Sequence, residues 1–410
     1  MLRVFEAFSG YGSQSIALRN LGIEHEVVAI SEIDKYAIKA YEAIHGPTLN
    51  LGDISKIDVN DIPEHDLFTY SFPCQDISVA GKTKGIVKGE TRSGLLYECE
   101  RIIEAKRPKY LLLENVKNLV GKKFKAQFEE WLAYLENLGY TNYWKVLNAK
   151  DYGVPQNRER VFVVSILGEH EAYEFPKPIP LDKCIADILE EEVDEKYYLS
   201  DEIQKRFKLT NQNENIIGTT KPEFRTIGQR DLVYNTEGVM GSLVATDYKQ
   251  PKQIAEKPIL VGGIGEKNFG KQYRQGNRVY DSNGIAMCLT SQPVGNAGGN
   301  SYLYKVDEIN QVGMLDIKGN EQVRRVYGDN GISPTLNTIQ GGNRQPKIIC
   351  DFKIRKLTPR ECFRLMGMRD TDIDKIQEAG ISNTQQYKLA GNSIVVDVLE
   401  AIFKNLFKGE

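Results

Sequence analysis

In this chain a thiol, a carboxyl group and two guanidinium groups each stand beside an apolar run. Ser71-Phe72-Pro73-Cys74-Gln75 closes the run Leu67–Ser71. The carboxyl edge of a parallel sheet is where ligands bind, and a thiolate there is a nucleophile. A lone Cys is also, and more commonly, a buried structural thiol. In Leu111-Leu112-Leu113-Glu114-Asn115-Val116, three apolar residues carry a carboxyl group to the end of a strand. Half-buried there, its pKa rises, which suits an acid catalyst; capping a helix is the plainer role. Gln156-Asn157-Arg158-Glu159-Arg160 offers two guanidinium groups on one face. They can hold a polar ring or a phosphate, or form a surface salt-bridge ladder. Phe8-Ser9-Gly10-Tyr11-Gly12-Ser13 contains two glycines, which let the backbone turn tightly and approach a ligand. Glu32 ends the next apolar run, about where Rossmann-like sites place an acid on ribose hydroxyls. Position 15 is Ser, so the third Gly of the dinucleotide pattern is absent. That leans away from NAD and toward another adenosine cofactor.

These groups act together only if a scaffold gathers the strand ends. Short apolar runs at Leu2–Phe8, Val27–Ser31, Leu67–Ser71, Tyr110–Leu113 and Val161–Ile166 read as buried strands. Helical periodicity falls between them, at Gln14–Leu21, Tyr36–Ile44, Leu95–Glu104 and Phe128–Leu138. The alternation predicts an α/β fold, a Rossmann-like doubly wound sheet, over residues 1–178. After Pro176, Pro178, Pro180 and the acidic stretch Glu190–Glu195, the chain turns rich in Gly, Asn, Gln and Tyr. An irregular, β-rich second domain is expected over 179–381. Lys388–Phe407 returns to loop-then-apolar-helix character, so 382–410 should complete the first domain around the inserted second.

Composition narrows the class. Hydrophobic residues make up 41% and charged residues 27%, which excludes a largely disordered chain. No stretch approaches the length of an apolar membrane-spanning helix. The first ten residues read as a buried strand rather than a secretory leader. The six cysteines (74, 99, 184, 288, 350 and 362) include no CxxC pair, and the four histidines are isolated. Neither a disulfide framework nor a metal site is expected, and a reducing cytoplasm is the natural compartment. The net charge of −3 hides an asymmetry. Residues 1–200 hold 24 Lys and Arg against 32 Asp and Glu, whereas residues 201–369 hold 25 against 17. An acidic body with a basic insert fits a catalytic domain joined to a polyanion-reading one, although solvated faces can produce the same imbalance.

The basic part holds an internal repeat. VYNTEGVMGSL from Val233, VYDSNGIAMCL from Val279 and VYGDNGISPTL from Val326 share Val-Tyr, a Gly five residues on and a Leu ten on. Spacings of 46 and 47 residues mark a duplicated unit. Each copy reads as a hairpin, strand–turn–strand, serving either as scaffold or as a recognition element.

The order of the clusters carries more than any one of them. FxGxG, PCQ, ENV, QxRxR, the Arg355–Gly367 segment RKLTPRECFRLMG and Gly391-Asn392-Ser393 follow one another along the chain. Together they resemble the C5-cytosine-specific DNA methyltransferase family, over residues 3–170 and 353–407. Met366 and Ala80 depart from the family's common residues without touching its core chemistry. The resemblance implies a methyl transfer from S-adenosyl-L-methionine to cytosine C5 in double-stranded DNA. Its catalytic set maps here onto Cys74, Gln75, Glu114, Asn115, Arg158 and Arg160. Cofactor contacts map onto Phe8, Gly10, Tyr11, Gly12, Ser13, Glu32, Ile33, Asp53, Ile54, Pro73, Asn392 and Ser393. Ser78 and Arg92, in a mobile loop after Cys74, and Asn343 and Arg344, after the third repeat, are the expected DNA contacts. The implied protein is a cytoplasmic monomer without metal or membrane partner, bacterial or phage-encoded, linked to restriction–modification or phage protection. A tRNA cytosine methyltransferase of the same fold, a catalytically silent DNA-binding homologue and an NAD-dependent oxidoreductase stay as alternatives.

Overall fold

The computed structural model describes residues 1–73, 92–198 and 354–408, and only short segments between 208 and 348. The chain divides into two compact units. The first comprises 1–193, 237–252 and 357–410; the second comprises 194–236 and 253–356.

The first unit is built on a six-stranded sheet. Strands β1 (Leu2–Ala7), β2 (His25–Ser31), β3 (Leu67–Tyr70) and β4 (Tyr110–Val116) are parallel, in the order β2-β1-β3-β4. Two strands extend it: β7 (Glu159–Leu167) lies antiparallel beside β4, and β5 (Tyr140–Asn148) at the edge pairs antiparallel with β7 and so runs with β4. Helices α1 (Ser13–Asn20), α2 (Lys35–His45), α3 (Leu96–Lys106) and α4 (Lys125–Asn137) connect the strands. Because side chains alternate along a strand, Phe5, Phe68, Tyr70, Leu111, Leu113, Val161 and Val163 share one face. Cys99, Ile102 and Ile103 of α3 and Phe128, Trp131 and Leu135 of α4 are buried in the same cluster. Burying apolar side chains of this size stabilises by about 1.5–3 kcal/mol each. The expected doubly wound sheet is thus present, with β7 running against its other five strands.

The first unit extends further than the sequence suggested. Residues 179–193 and 357–381, expected in the second domain, belong to it, as does 237–252. The reason is packing. Helix α5 (Pro359–Arg364) opens with a capping box between Thr358 and Glu361, and Phe363 meets Tyr11 edge-on at 5.7 Å. Helix α6 (Asp370–Glu378) offers Asp372 to Arg19, while the backbone N–H of Glu190 donates to Glu361. Helices α7 (Asn383–Asn392) and α8 (Val396–Leu406) finish the unit, α8 against α1.

Among its described residues the second unit holds three sheets, the first of them edged by β8 (Lys208–Asn213) and β19 (Ile354–Lys356). Each Val-Tyr copy forms a middle strand: β10 (Leu232–Asn235), β14 (Arg278–Asp281) and β17 (Arg325–Tyr327). Each pairs antiparallel with the strand before it, β9 (Ile216–Thr219), β13 (Leu260–Gly263) or β16 (Gln311–Met314). Each also pairs in parallel with a later one, β12 (Gln253–Ala255), β15 (Leu303–Lys305) or β18 (Lys347–Ile348). Val233, Val279 and Val326 face Gly218, Gly262 and Gly313 respectively. The hairpin expectation therefore fails for the first copy. Its second strand, β11 (Met240–Gly241), leaves β10 and pairs with β6 (Gln156–Asn157) of the first unit's chain.

Candidate active site

The carboxyl ends of β1, β2, β3 and β4 open on a cavity of about 400 Å³. That size suits a nucleoside-bearing ligand. Its first wall is the turn after β1. Phe8 adopts a left-handed backbone at φ +56°, an uncommon conformation for a bulky residue, and Gly10 follows at φ +58°. The Gly10 N–H donates to Glu32 Oε2 at 3.0 Å, and the N–H groups of Ile33 and Asp34 donate to Oε1 at 2.8 and 2.9 Å. The Glu32 carboxylate thus fixes two turns at once. Asn50 supports it, its Oδ1 accepting from the N–H groups of Glu32 and Gly52. Asp53 caps the turn Ile54–Lys56 through Ser55, and hydrogen bonds from Ser55 hold its pKa below the usual carboxylate value. Ile33 lines the cavity yet is 74% exposed, an apolar face at the rim.

The opposite wall comes from the C-terminal segment. Leu389, Gly391, Asn392, Ser393 and Ile394 line it. Lys388 donates to Asp34 Oδ2 at 2.6 Å, which ties α7 to the end of β2. No sequence motif signalled this pair, because its partners lie 354 residues apart.

The floor carries the ionisable groups. Glu114 on β4 faces Arg160 at the start of β7, Nε to Oε1 at 3.2 Å. Burial pushes the Glu114 pKa up, against the opposing pull of Arg160, Arg158 and a hydrogen bond from Ser71. Asn115 donates to the Phe72 carbonyl at 3.0 Å, linking β4 to the chain just before Cys74. Ser93 donates to the Pro73 carbonyl at 2.7 Å, so residues 73 and 93 are adjacent. An acid whose pKa burial raises, a fixed cation and a strand end leading into a thiol can together activate a polar ring.

Residues 2–408 match the C-5 cytosine-specific DNA methylase family. The chain belongs to that family. It is 35% identical over 464 residues to the type II methyltransferase M2.ScrFI of Lactococcus lactis subsp. cremoris, with 100% of both chains covered. It is 34% identical over 523 residues to the orphan methyltransferase M.Rho11sI of Bacillus phage rho11s, covering 99% of this chain and 97% of the relative. The solved Entamoeba histolytica methyltransferase EhMeth shares the fold, with a TM-score of 0.59, 17% identity and 99% and 98% coverage. This methylase is a DNA cytosine methyltransferase.

The structure gathers much of the expected set around the methylase cavity: Phe8, Gly10, Ser13, Glu32, Ile33, Asp53, Ile54, Pro73, Glu114, Asn115, Arg158, Arg160, Asn392 and Ser393. Two residues of the expected set do not line the cavity. Tyr11, fully buried against Phe363, is not among the residues that line the cavity. Gly12, at φ +81°, precedes α1 and sits against Tyr41 and His45. Phe8, Ser9, Gly10 and Ser13 of the motif line the cavity, whereas Tyr11 and Gly12 pack behind it. Arg158 also differs from Arg160. It is buried and donates to the carbonyls of Leu243, Gly391 and Ser393, at 2.6, 3.2 and 2.7 Å. Arg92 begins a short turn, Arg92–Leu95. Cys74, Gln75, Ser78, Asn343 and Arg344 lie outside the described residues.

Proposed function

We propose that this methylase transfers a methyl group from S-adenosyl-L-methionine to C5 of a cytosine flipped out of duplex DNA, through a covalent adduct at Cys74. The Glu114–Arg160 pair, on the floor of the cavity that Phe8, Glu32 and Asn392 wall, carries the reading. The donor supplies an electrophilic methyl group on sulfonium. Phe8 and Ile33 present apolar surface for its adenine ring, Glu32 an acceptor for ribose hydroxyls, and Asp53 an acceptor for the adenine amine. Asn392 and Ser393 close the opposite side.

A cytosine is inert at C5 until its ring is made electron-rich. The Cys74 thiolate adds to C6 while Glu114 donates a proton to N3, giving an enamine. Arg160 holds the ring oxygen O2 and stabilises the charge gathering there. C5 would then take the methyl group, with S-adenosyl-L-homocysteine as the leaving group; the N3 proton returns to Glu114, and loss of the C5 proton to water expels the thiolate and restores the C5–C6 double bond. A base within a duplex cannot reach Cys74, so extrusion comes first. Sequence choice is assigned to the repeat-bearing 194–236 and 253–356 unit. The three further expectations, a monomer, a cytoplasmic location and an origin in restriction–modification or phage protection, belong to this proposal as well.

The test is a duplex whose target cytosine is 5-fluorocytosine. Fluorine does not leave as a cation, so a denaturation-resistant adduct at Cys74 should accumulate only when S-adenosyl-L-methionine is present. Bisulfite sequencing of DNA from expressing cells identifies the target needed for that duplex. Methylation of tRNA in preference to the duplex, or turnover without adduct, would overturn the reading.

A further inference from the structure

Arg158 stands at the meeting point of two segments that the sequence keeps far apart. One Nη donates to the Leu243 carbonyl at 2.6 Å; the other donates to the Gly391 and Ser393 carbonyls at 3.2 and 2.7 Å. Charge-assisted bonds from a planar guanidinium fix direction as well as distance. Gln156 reinforces the first contact, its Oε1 accepting from the Leu243 N–H at 3.0 Å and its Nε2 donating to the Leu365 carbonyl at 2.6 Å. The Met240 N–H donates to the Pro155 carbonyl at 2.8 Å. Gly391 presses on the same segment from the other side. A Cβ there would fall 2.5 Å from Ala245 N and 2.6 Å from Val244 O. Residues 240–245 are therefore gripped through their main chain, between Gln156 and Arg158 on one side and α7 on the other.

The two ends of this grip have different duties. Gly391–Ser393 is wall of the cofactor cavity. Residues 240–245 are the second half of the first Val-Tyr repeat and run, at both ends, into strands of the repeat-bearing unit. A ligand that settles Asn392 and Ser393 also sets two of the three carbonyls around Arg158, and so the position of the third.

We infer that Arg158 is a positioning residue that couples occupancy of the cofactor cavity to the grip on target DNA. The inference rests on the methyltransferase reading above. Coupling of this kind is reciprocal and usually amounts to 5–150-fold in affinity. In the wild-type chain, S-adenosylhomocysteine should tighten binding of duplex DNA carrying the target site about 10-fold, and that DNA should tighten S-adenosylhomocysteine equally. Arg158→Lys supplies one compact cation in place of the fork and should reduce the factor to about 2-fold or less.

The experiment is a four-corner titration: DNA binding with and without S-adenosylhomocysteine, for the wild type and Arg158→Lys. A thermal melt confirms that the variant is folded. Gly391→Ala, which displaces residues 244–245 and leaves the guanidinium in place, is the second variant and should also lower the factor. A purely structural Arg158 would weaken both affinities and preserve their ratio. That outcome, or a wild-type factor near one, overturns the inference alone. A wild-type chain that transfers no methyl group to cytosine overturns the underlying reading as well.

Discussion

Arg160 Nε lies 3.2 Å from Glu114 Oε1, across the antiparallel pair of β4 and β7. The register sets Glu114 opposite Phe162 and Val116 opposite Arg160, so the carboxyl and the guanidinium stand on neighbouring strands, two residues out of step. The pull of Arg160 on Glu114 opposes the effect of burial. Burial raises the Glu114 pKa and Arg160 lowers it. Arg160→Met removes the lowering influence, so protonated Glu114 should persist to higher pH. If that proton is the one given to N3, the alkaline limb of the single-turnover rate should move upward in pH, on a lower maximum. A limb that stays in place would separate Glu114 from the titrating group.

Glu114→Gln keeps the shape and removes the proton. General acid catalysis contributes typically 10²–10⁴-fold, and a loss of about that size in methyl transfer is expected. Adduct formation with 5-fluorocytosine DNA should slow in parallel, because the same proton assists addition to C6. Rapid adduct formation in the variant would place the acid elsewhere.

How far the sequence exposed this site depended on where each residue's partners lie. Glu114 was legible because three leucines bury the middle of β4 and leave the carboxyl at its mouth. The turn at Phe8–Ser13 was legible through Gly10, but the packing of Tyr11 and Gly12 behind it was not. That depends on Phe363, Tyr41 and His45, distant in the chain. Strand β5 escaped notice because it is an edge strand with mixed exposure, including Lys145 and a half-exposed Trp144. The first repeat carried a correct signal of duplication but no information on pairing partners, and β11 joins β6 rather than β10. Arg158 and Arg160 look equivalent in QNRER. Only the convergence of Leu243, Gly391 and Ser393 on one of them tells them apart.

The two glycines of the first turn should respond differently to a methyl group. At Gly12, φ is +81° and a Cβ would fall 2.5 Å from His45 Nε2 and 2.7 Å from the Tyr41 ring. Gly12→Ala therefore combines left-handed strain with a clash and should cost about 2 kcal/mol or more. At Gly10, φ is +58° and the nearest atom to a Cβ is Ser393 Oγ at 3.7 Å. Gly10→Ala should cost only about 1–2 kcal/mol, from backbone strain. Urea melts of both variants would show the order, and equal losses would contradict it.

The last prediction concerns a carboxyl group that the catalytic proposal does not use. Glu6, fully buried on β1, has its pKa pushed up to about 7 by burial, only partly offset by the hydrogen bond from Ser15 and the nearby Tyr41 hydroxyl. Its ordinary value is 4.5. The folded chain therefore binds more protons than the unfolded chain between those limits, and stability must fall as pH rises through that window. The contribution is fully present below about pH 4.5 and lost above about pH 7, to a total of about 3 kcal/mol at 1.36 kcal/mol per unit. Glu6→Gln stays neutral at every pH and should lack this slope. His45, nearby, has its pKa lowered to about 4 by burial, so its own contribution is lost as pH falls through roughly 6.5 to 4. It is present in both proteins and cancels in their difference. Denaturant melts of the wild type and Glu6→Gln at half-unit steps from pH 5 to 8 measure that difference directly. The wild type should lose stability relative to the variant as pH rises, and a difference independent of pH would show that Glu6 is already ionised in the fold.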